Sequence, residues 1–135
     1  ALHSQAVWAI EHKAEACDLI RCNREKFCAW NLRVVEGHAP EALHELPAPD
    51  VVFLGGTGRK MPEILQVVRA KNPKARVCLS AIALETLHQA VEELTALGYA
   101  PEITQIAVSR AKAAGDLHLL LAQNPIFLIS AGGDA

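Results

Sequence analysis

Pro49-Asp50-Val51-Val52-Phe53-Leu54-Gly55-Gly56-Thr57-Gly58-Arg59-Lys60 reads as an apolar strand that stops at a glycine-rich loop carrying two cations. An apolar run of this kind predicts a strand with both faces covered, as in a parallel sheet. Ligands of open α/β sheets bind where such strands end, which makes Gly55 to Lys60 a candidate site. The phosphate-binding patterns do not fit it. A Walker loop leads into Gly-Lys-Ser/Thr, whereas Lys60 follows Arg59 and precedes Met61. A dinucleotide loop needs a third glycine where Met61 stands.

Towards the N-terminus, Ala6-Val7-Trp8-Ala9-Ile10 predicts a buried strand ending at Glu11. Ala16, Leu19, Ile20, Asn23 and Phe27 then share one helical face, with Lys13, Arg21, Arg24 and Lys26 mostly outside it. Leu32 to Glu36 is the next strand, closed by Gly37, and a short helix is expected over 41–45 before Pro47 and Pro49. Towards the C-terminus, Pro62 suits a helix start; Ile64, Leu65 and Val68 form its core face, and Asn72-Pro73 stops it. Arg76 to Ser80 is a strand, and Leu84, Leu87, Val91 and Leu94 recur at helical spacing up to Gly98. Strands over 102–108 and 117–129 finish the chain, the second interrupted at Asn124-Pro125, with Gly115-Asp116 as a turn between them. The order β-α-β-α-β-α-β-α-β-β predicts parallel crossovers and a final antiparallel pair.

The chain has 135 residues, enough for a single domain with a real core. Hydrophobic residues make up 51% and aromatic ones only 4%, so the core is aliphatic, which suits helices layered on parallel strands. A formal net charge of -2 opposes a nucleic-acid partner bound through its phosphates. No apolar run reaches about 18 residues, so no membrane span is expected. Cys17, Cys22, Cys28 and Cys78 form no pair at metal or redox spacing and read as reduced, partly buried thiols of a cytoplasmic protein. The histidines are equally dispersed, and no metal site is expected.

Glu11 stands at a strand end before a helix, where a carboxylate can accept both hydroxyls of a ribose. The competing reading is an exposed residue answering the N-terminal dipole of that helix. Gly37, His38 and Ala39 follow the next strand; the small residues leave room for an adenine edge, or the segment is a plain turn leading to Pro40. In the glycine loop, Gly55, Gly56 and Gly58, with Thr57 between them, let backbone approach a ligand, and Arg59 and Lys60 can pair with substrate carboxylates. The alternative there is a tight strand-to-helix turn with two solvated cations. Arg110 and Lys112 lie in the link between the last two strands and read more simply as a solvated basic loop. No nucleophile–base pair is visible, and methyl transfer from an activated sulfonium requires none.

A parallel sheet ending in an antiparallel hairpin resembles that of S-adenosyl-L-methionine (AdoMet) dependent methyltransferases, a Rossmann-like α/β fold. Ala9-Ile10-Glu11, Val35 to Leu43, Leu46 to Asp50, Phe53 to Gly58 and Asn124-Pro125-Ile126-Phe127 together resemble, in order, the precorrin-6Y C5,15-methyltransferases (decarboxylating), specifically their C15-methylating domain. That resemblance implies one methyltransferase domain over 1–135, lacking the family's first β-α unit and the acidic glycine-rich cofactor loop. It implies AdoMet ribose at Glu11, adenine at Gly37, His38 and Ala39, and a tetrapyrrole at Gly55, Gly56, Thr57, Gly58, Arg59 and Lys60. The implied reaction methylates C15 and releases carbon dioxide from the ring C acetate, in cobalamin biosynthesis. His38 stands where the stand-alone enzymes often carry Asp. The family also forms homo-oligomers, commonly tetramers, and the apolar last strands suggest self-association. The alternatives are a methyltransferase for another small molecule or RNA, and an inactive nucleoside-binding or assembly fragment.

Overall fold

The protein was analysed as a computed structural model that describes residues 1, 3–56 and 60–133. Its chain divides into two compact units, Ala1–Pro47 and Ala48–Ala135.

The first unit contains β1 (Val7–Glu11), α1 (Ala14–Lys26), β2 (Leu32–Glu36) and α2 (Glu41–His44). β1 and β2 pair in parallel, with Val7 opposite Leu32 and Glu11 opposite Glu36, so both strands end at one level. The helix lies where the periodicity puts it, but turned. Leu19 and Phe27, expected on the inner face, are 65% and 62% exposed, whereas Cys17 is fully buried. Arg21 and Arg24, expected outside, are half-buried. Ala16 and Ile20 are half-buried as expected, and Arg21 reaches Asp18 at 2.7 Å and Glu36, at the end of β2, at 3.5 Å.

The second unit contains β3 (Val51–Gly55), α3 (Met61–Lys71), β4 (Arg76–Ala81), α4 (Leu84–Ala96), β5 (Glu102–Ile106), β6 (Ser109–Ala114), β7 (Leu117–Ala122) and β8 (Ile126–Ala131). Four strands form one sheet in the order β3-β4-β8-β5. β4 is parallel to β3, and β8 enters antiparallel to both β4 and β5. Val77, Leu79 and Ala81 of β4, together with Ile129 and Ala131 of β8, are buried. α4 packs on those strands and α3 packs on α4. Met61, Ile64, Leu65 and Val68 of α3 and Ala90 and Leu94 of α4 complete this aliphatic core.

Three expectations change here. β3 is not covered on both faces: it is an edge strand, and Val51 and Phe53 are 66% and 65% exposed while Val52 and Leu54 are half-buried. The stretch 117–129 is two strands, β7 and β8, because Pro125 has no N–H to continue a ladder. The antiparallel partner of β5 is β8, while β7 pairs with β6 across the Gly115-Asp116 turn. Arg110 and Lys112 therefore lie in a strand, not a link. Its sequence, Ser-Arg-Ala-Lys-Ala-Ala, has little strand propensity and takes this form through its ladder with β7.

Candidate functional site

In the first unit the level ends of β1 and β2 make a small rim. The Glu11 carbonyl accepts the Gly37 N–H at 2.9 Å and the Cys17 thiol at 3.3 Å. Burial, above all, raises the Cys17 thiol above its ordinary value, which keeps it a protonated donor. The Glu11 side chain turns onto the start of α1, where its Oε1 accepts the backbone N–H groups of His12 at 2.8 Å and Lys13 at 2.9 Å. Both amides precede the helix, whose N-cap residue Lys13 makes no side-chain capping bond. The two readings of Glu11 are not exclusive: Oε1 serves the turn that leads into α1, and a carboxylate has a second oxygen to offer.

The Lys13 backbone N–H is the leading cause that holds the Glu11 carboxyl below its ordinary value; partial desolvation opposes it, and the His12 N–H adds to it. A carboxylate kept ionised in this way is a good acceptor for hydroxyl donors. His12 reaches Oε1 with its Nδ1 at 3.2 Å and stacks on the ring of His38, with centroids 4.6 Å apart and planes 23° apart. Glu11, Gly37 and His38 are therefore brought together. Gly37 does not provide a cradle that a side chain would fill, because a Cβ there would meet only the Ala42 Cβ, at 3.6 Å. Its use is its N–H. Ala39 and Pro40 lead from this rim into α2. The residues present fit a nucleoside: an ionised diol acceptor, backbone polar groups and flat rings.

In the second unit Gly55 ends β3 and Gly56 takes a φ of +63°, a turn conformation that favours glycine. Lys60 immediately precedes α3. Thr57, Gly58 and Arg59 lie outside the described residues. Beside Gly56 a cavity of about 330 Å³ opens between the ends of β3 and β4 and the start of α4. Ser80, Ile82 and Thr86 line it and were not singled out from the sequence. The strand-end rule applied to β3 would have found them had it been applied to β4 as well. Among the described residues, no group of three or more His, Cys, Asp or Glu side chains is arranged to hold a metal ion. No described helix is long and apolar enough to cross a membrane.

Strand ends bearing a nucleoside-type rim in one unit and an apolar cleft in the other accord with what comparison finds. The sequence model described as the precorrin methyltransferase domain matches residues 1–131. The chain belongs to the precorrin methyltransferase domain family. A probable cobalt-precorrin-6B C(15)-methyltransferase (decarboxylating) of Pyrobaculum calidifontis is 38% identical over 93% of this chain and 65% of its own length. One from Methanothermobacter thermautotrophicus is 34% identical, covering 93% of this chain and 67% of that protein. The chain thus spans about two thirds of the length of these curated relatives, 65% for the first. Among solved structures, a precorrin-6Y C5,15-methyltransferase from Geobacter metallireducens superposes with a TM-score of 0.86 at 35% identity, covering 96% of this chain and 67% of that one. A precorrin 8w decarboxylase from Methanobacterium thermoautotrophicum gives 0.88 at 34% identity, covering 95% and 70%. The fold is accordingly that of the Rossmann-like α/β methyltransferases, with parallel pairs β1-β2 and β3-β4 and the antiparallel strand β8 between β4 and β5.

Proposed function

We propose that this precorrin methyltransferase domain takes part in AdoMet-dependent methylation of a precorrin-6B-type tetrapyrrole at C15, with loss of the ring C acetate as carbon dioxide. The observation that carries the reading is the Glu11 carboxylate, ionised and held by the His12 and Lys13 amides at the rim of β1 and β2. The names of the relatives at 38% and 34% identity support the same chemistry. AdoMet would supply an electrophilic methyl group. Glu11 would hold the ribose through Oε2, and Gly37, His38 and Ala39 would border the adenine. Gly55, Gly56, Thr57, Gly58, Arg59 and Lys60 would face the substrate, the two cations answering its carboxylates. The residues supply positioning and charge complementarity, which is what alignment of a methyl donor with a carbon acceptor requires.

A family model spanning 1–131 supports treating the chain as one methyltransferase domain. The formal charge of -2 supports a small anionic substrate over a nucleic acid. Four free thiols support a cytoplasmic setting. Self-association is part of the proposal. β6 and β7 are exposed along their whole length, and Leu117, Leu119, Leu120 and Leu121 are 49–75% exposed. A lone two-stranded hairpin is marginal in water, so a homo-oligomer, a tetramer by family resemblance, is expected to cover it.

The test is calorimetric binding of AdoMet, then methyl transfer and carbon dioxide release with precorrin-6B in the full-length protein. Glu11→Gln is expected to weaken AdoMet about ten- to a hundredfold. Tight binding of NAD with no binding of AdoMet would reject the proposal.

A further inference from the structure

Glu11 and His38 stand at the ends of different strands, and one side chain touches both. His12 brings Nδ1 to 3.2 Å from Glu11 Oε1 and lays its ring on that of His38, with centroids 4.6 Å apart. The backbone at both places is already fixed. The Glu11 carbonyl holds the Gly37 N–H at 2.9 Å, and the His38 carbonyl accepts the Ala42 N–H at 2.8 Å. What the backbone leaves open is the setting of the two side chains.

The His12 and Lys13 amides fix where Oε1 lies, but a carboxylate pinned at one oxygen can still swing the other about it. A third polar contact at Oε1, from a side chain rather than the backbone, narrows that swing. The contact is favourable when Nδ1 carries a hydrogen, as in imidazolium or the Nδ1–H tautomer. His38 is exposed, and the outer torsion of a histidine side chain is broad. A ring stacked on it confines that torsion. An imidazole supplies both the polar hydrogen and the flat ring; lysine supplies only the first and phenylalanine only the second.

We infer that His12 is a positioning residue of this rim: it sets the Glu11 carboxylate for the ribose through Nδ1, and the His38 ring for the adenine through the stack. One side chain thereby aligns the two halves of the nucleoside site. The inference rests on the cofactor reading above, and it requires no contact between His12 and the cofactor. The His12 side chain is 49% exposed and that of Glu11 29%, so water screens their contact and its effect is modest.

The test uses two substitutions in the full-length protein, each keeping one of the two contacts. His12→Phe keeps a flat ring against His38 and removes the polar contact with Glu11. His12→Lys keeps a cation near Glu11 and removes the stack. Each is expected to weaken AdoMet about two- to fivefold in calorimetry, the range of one exposed polar contact or ring pair. The loss from His12→Phe should vanish in a Glu11→Gln background, and that from His12→Lys in a His38→Ala background. Without cofactor, His12→Phe should move the NMR signal of the Glu11 carboxyl carbon, and His12→Lys those of the His38 ring protons. Losses that persist in full in those backgrounds, no loss in either single variant, or unmoved NMR signals overturn the role of His12. Wild-type protein that does not bind AdoMet overturns the cofactor reading itself, and the inference with it.

Discussion

Glu11 owes its lowered pKa chiefly to the backbone N–H of Lys13, with that of His12 adding to it, in the turn just before α1, and this fixes the sign of its pH dependence. A carboxyl held below its ordinary value of 4.5 contributes stability that is present above that value and is lost as pH falls through the lower, folded one. AdoMet affinity is therefore expected to stay flat across neutral pH with respect to this group and to weaken only below 4.5, as followed by calorimetry with an NMR titration of the Glu11 carboxyl carbon. Gly132 shows a different constraint. Its φ is +77°, and a Cβ there would run into the Ala75 carbonyl and meet the Tyr99 ring at 2.8 Å. Gly132→Ala should cost at least about 1–3 kcal/mol from the backbone alone, read by urea denaturation. The place of Glu11 at a strand end was legible, whereas nothing in Ala131-Gly132-Gly133 announces that the Ala75 backbone passes beside it.

At the scale of elements, the strands and helices with a strict period were readable and the pairings were less so. The face Ile64, Leu65 and Val68 is buried as its spacing requires, and Leu94 on α4 is fully buried. Leu94→Ala is expected to destabilise the second unit by about 2–5 kcal/mol, with the hydrogen exchange of β4 and β8 amides rising in step. The period of α1 was met in part: Ala16 and Ile20 are half-buried as expected, but the covered face also takes in Cys17, Arg21 and Arg24, while Leu19 and Phe27 are exposed. The hairpin of β6 and β7 escaped because alanine and basic residues carry no strand signature; its ladder with β7 supplies the order. The glycine loop and the cavity beside it were half legible, since the strand end of β3 was read and that of β4 was not.

At the scale of the whole molecule, the exposed leucines of β7 make the oligomer the property most open to test. Leu119 faces Lys112 across the hairpin, so Leu119→Glu places a carboxylate beside a cation and preserves the local ladder while charging the surface. The variant is expected to lose oligomeric mass in light scattering with its circular dichroism unchanged; an unchanged mass would remove this hairpin from the interface. By itself the sequence determined the alternation of strands and helices, the aliphatic core of α3 and α4, the strand-end position of Glu11 and of the glycine loop, and the family. Those properties follow from local periodicity, chain-breaking residues and motif order, which are written along the chain. Only the tertiary structure decided that β8 inserts between β4 and β5, that β3 is an edge with Phe53 exposed, that the Glu11 carboxylate is shared with the His12 and Lys13 amides, and that the ends of β3 and β4 and the start of α4 line a cavity. Each of these depends on residues far apart in the chain or on hydrogen-bond and packing choices made only once they meet, and no local pattern encodes such a choice.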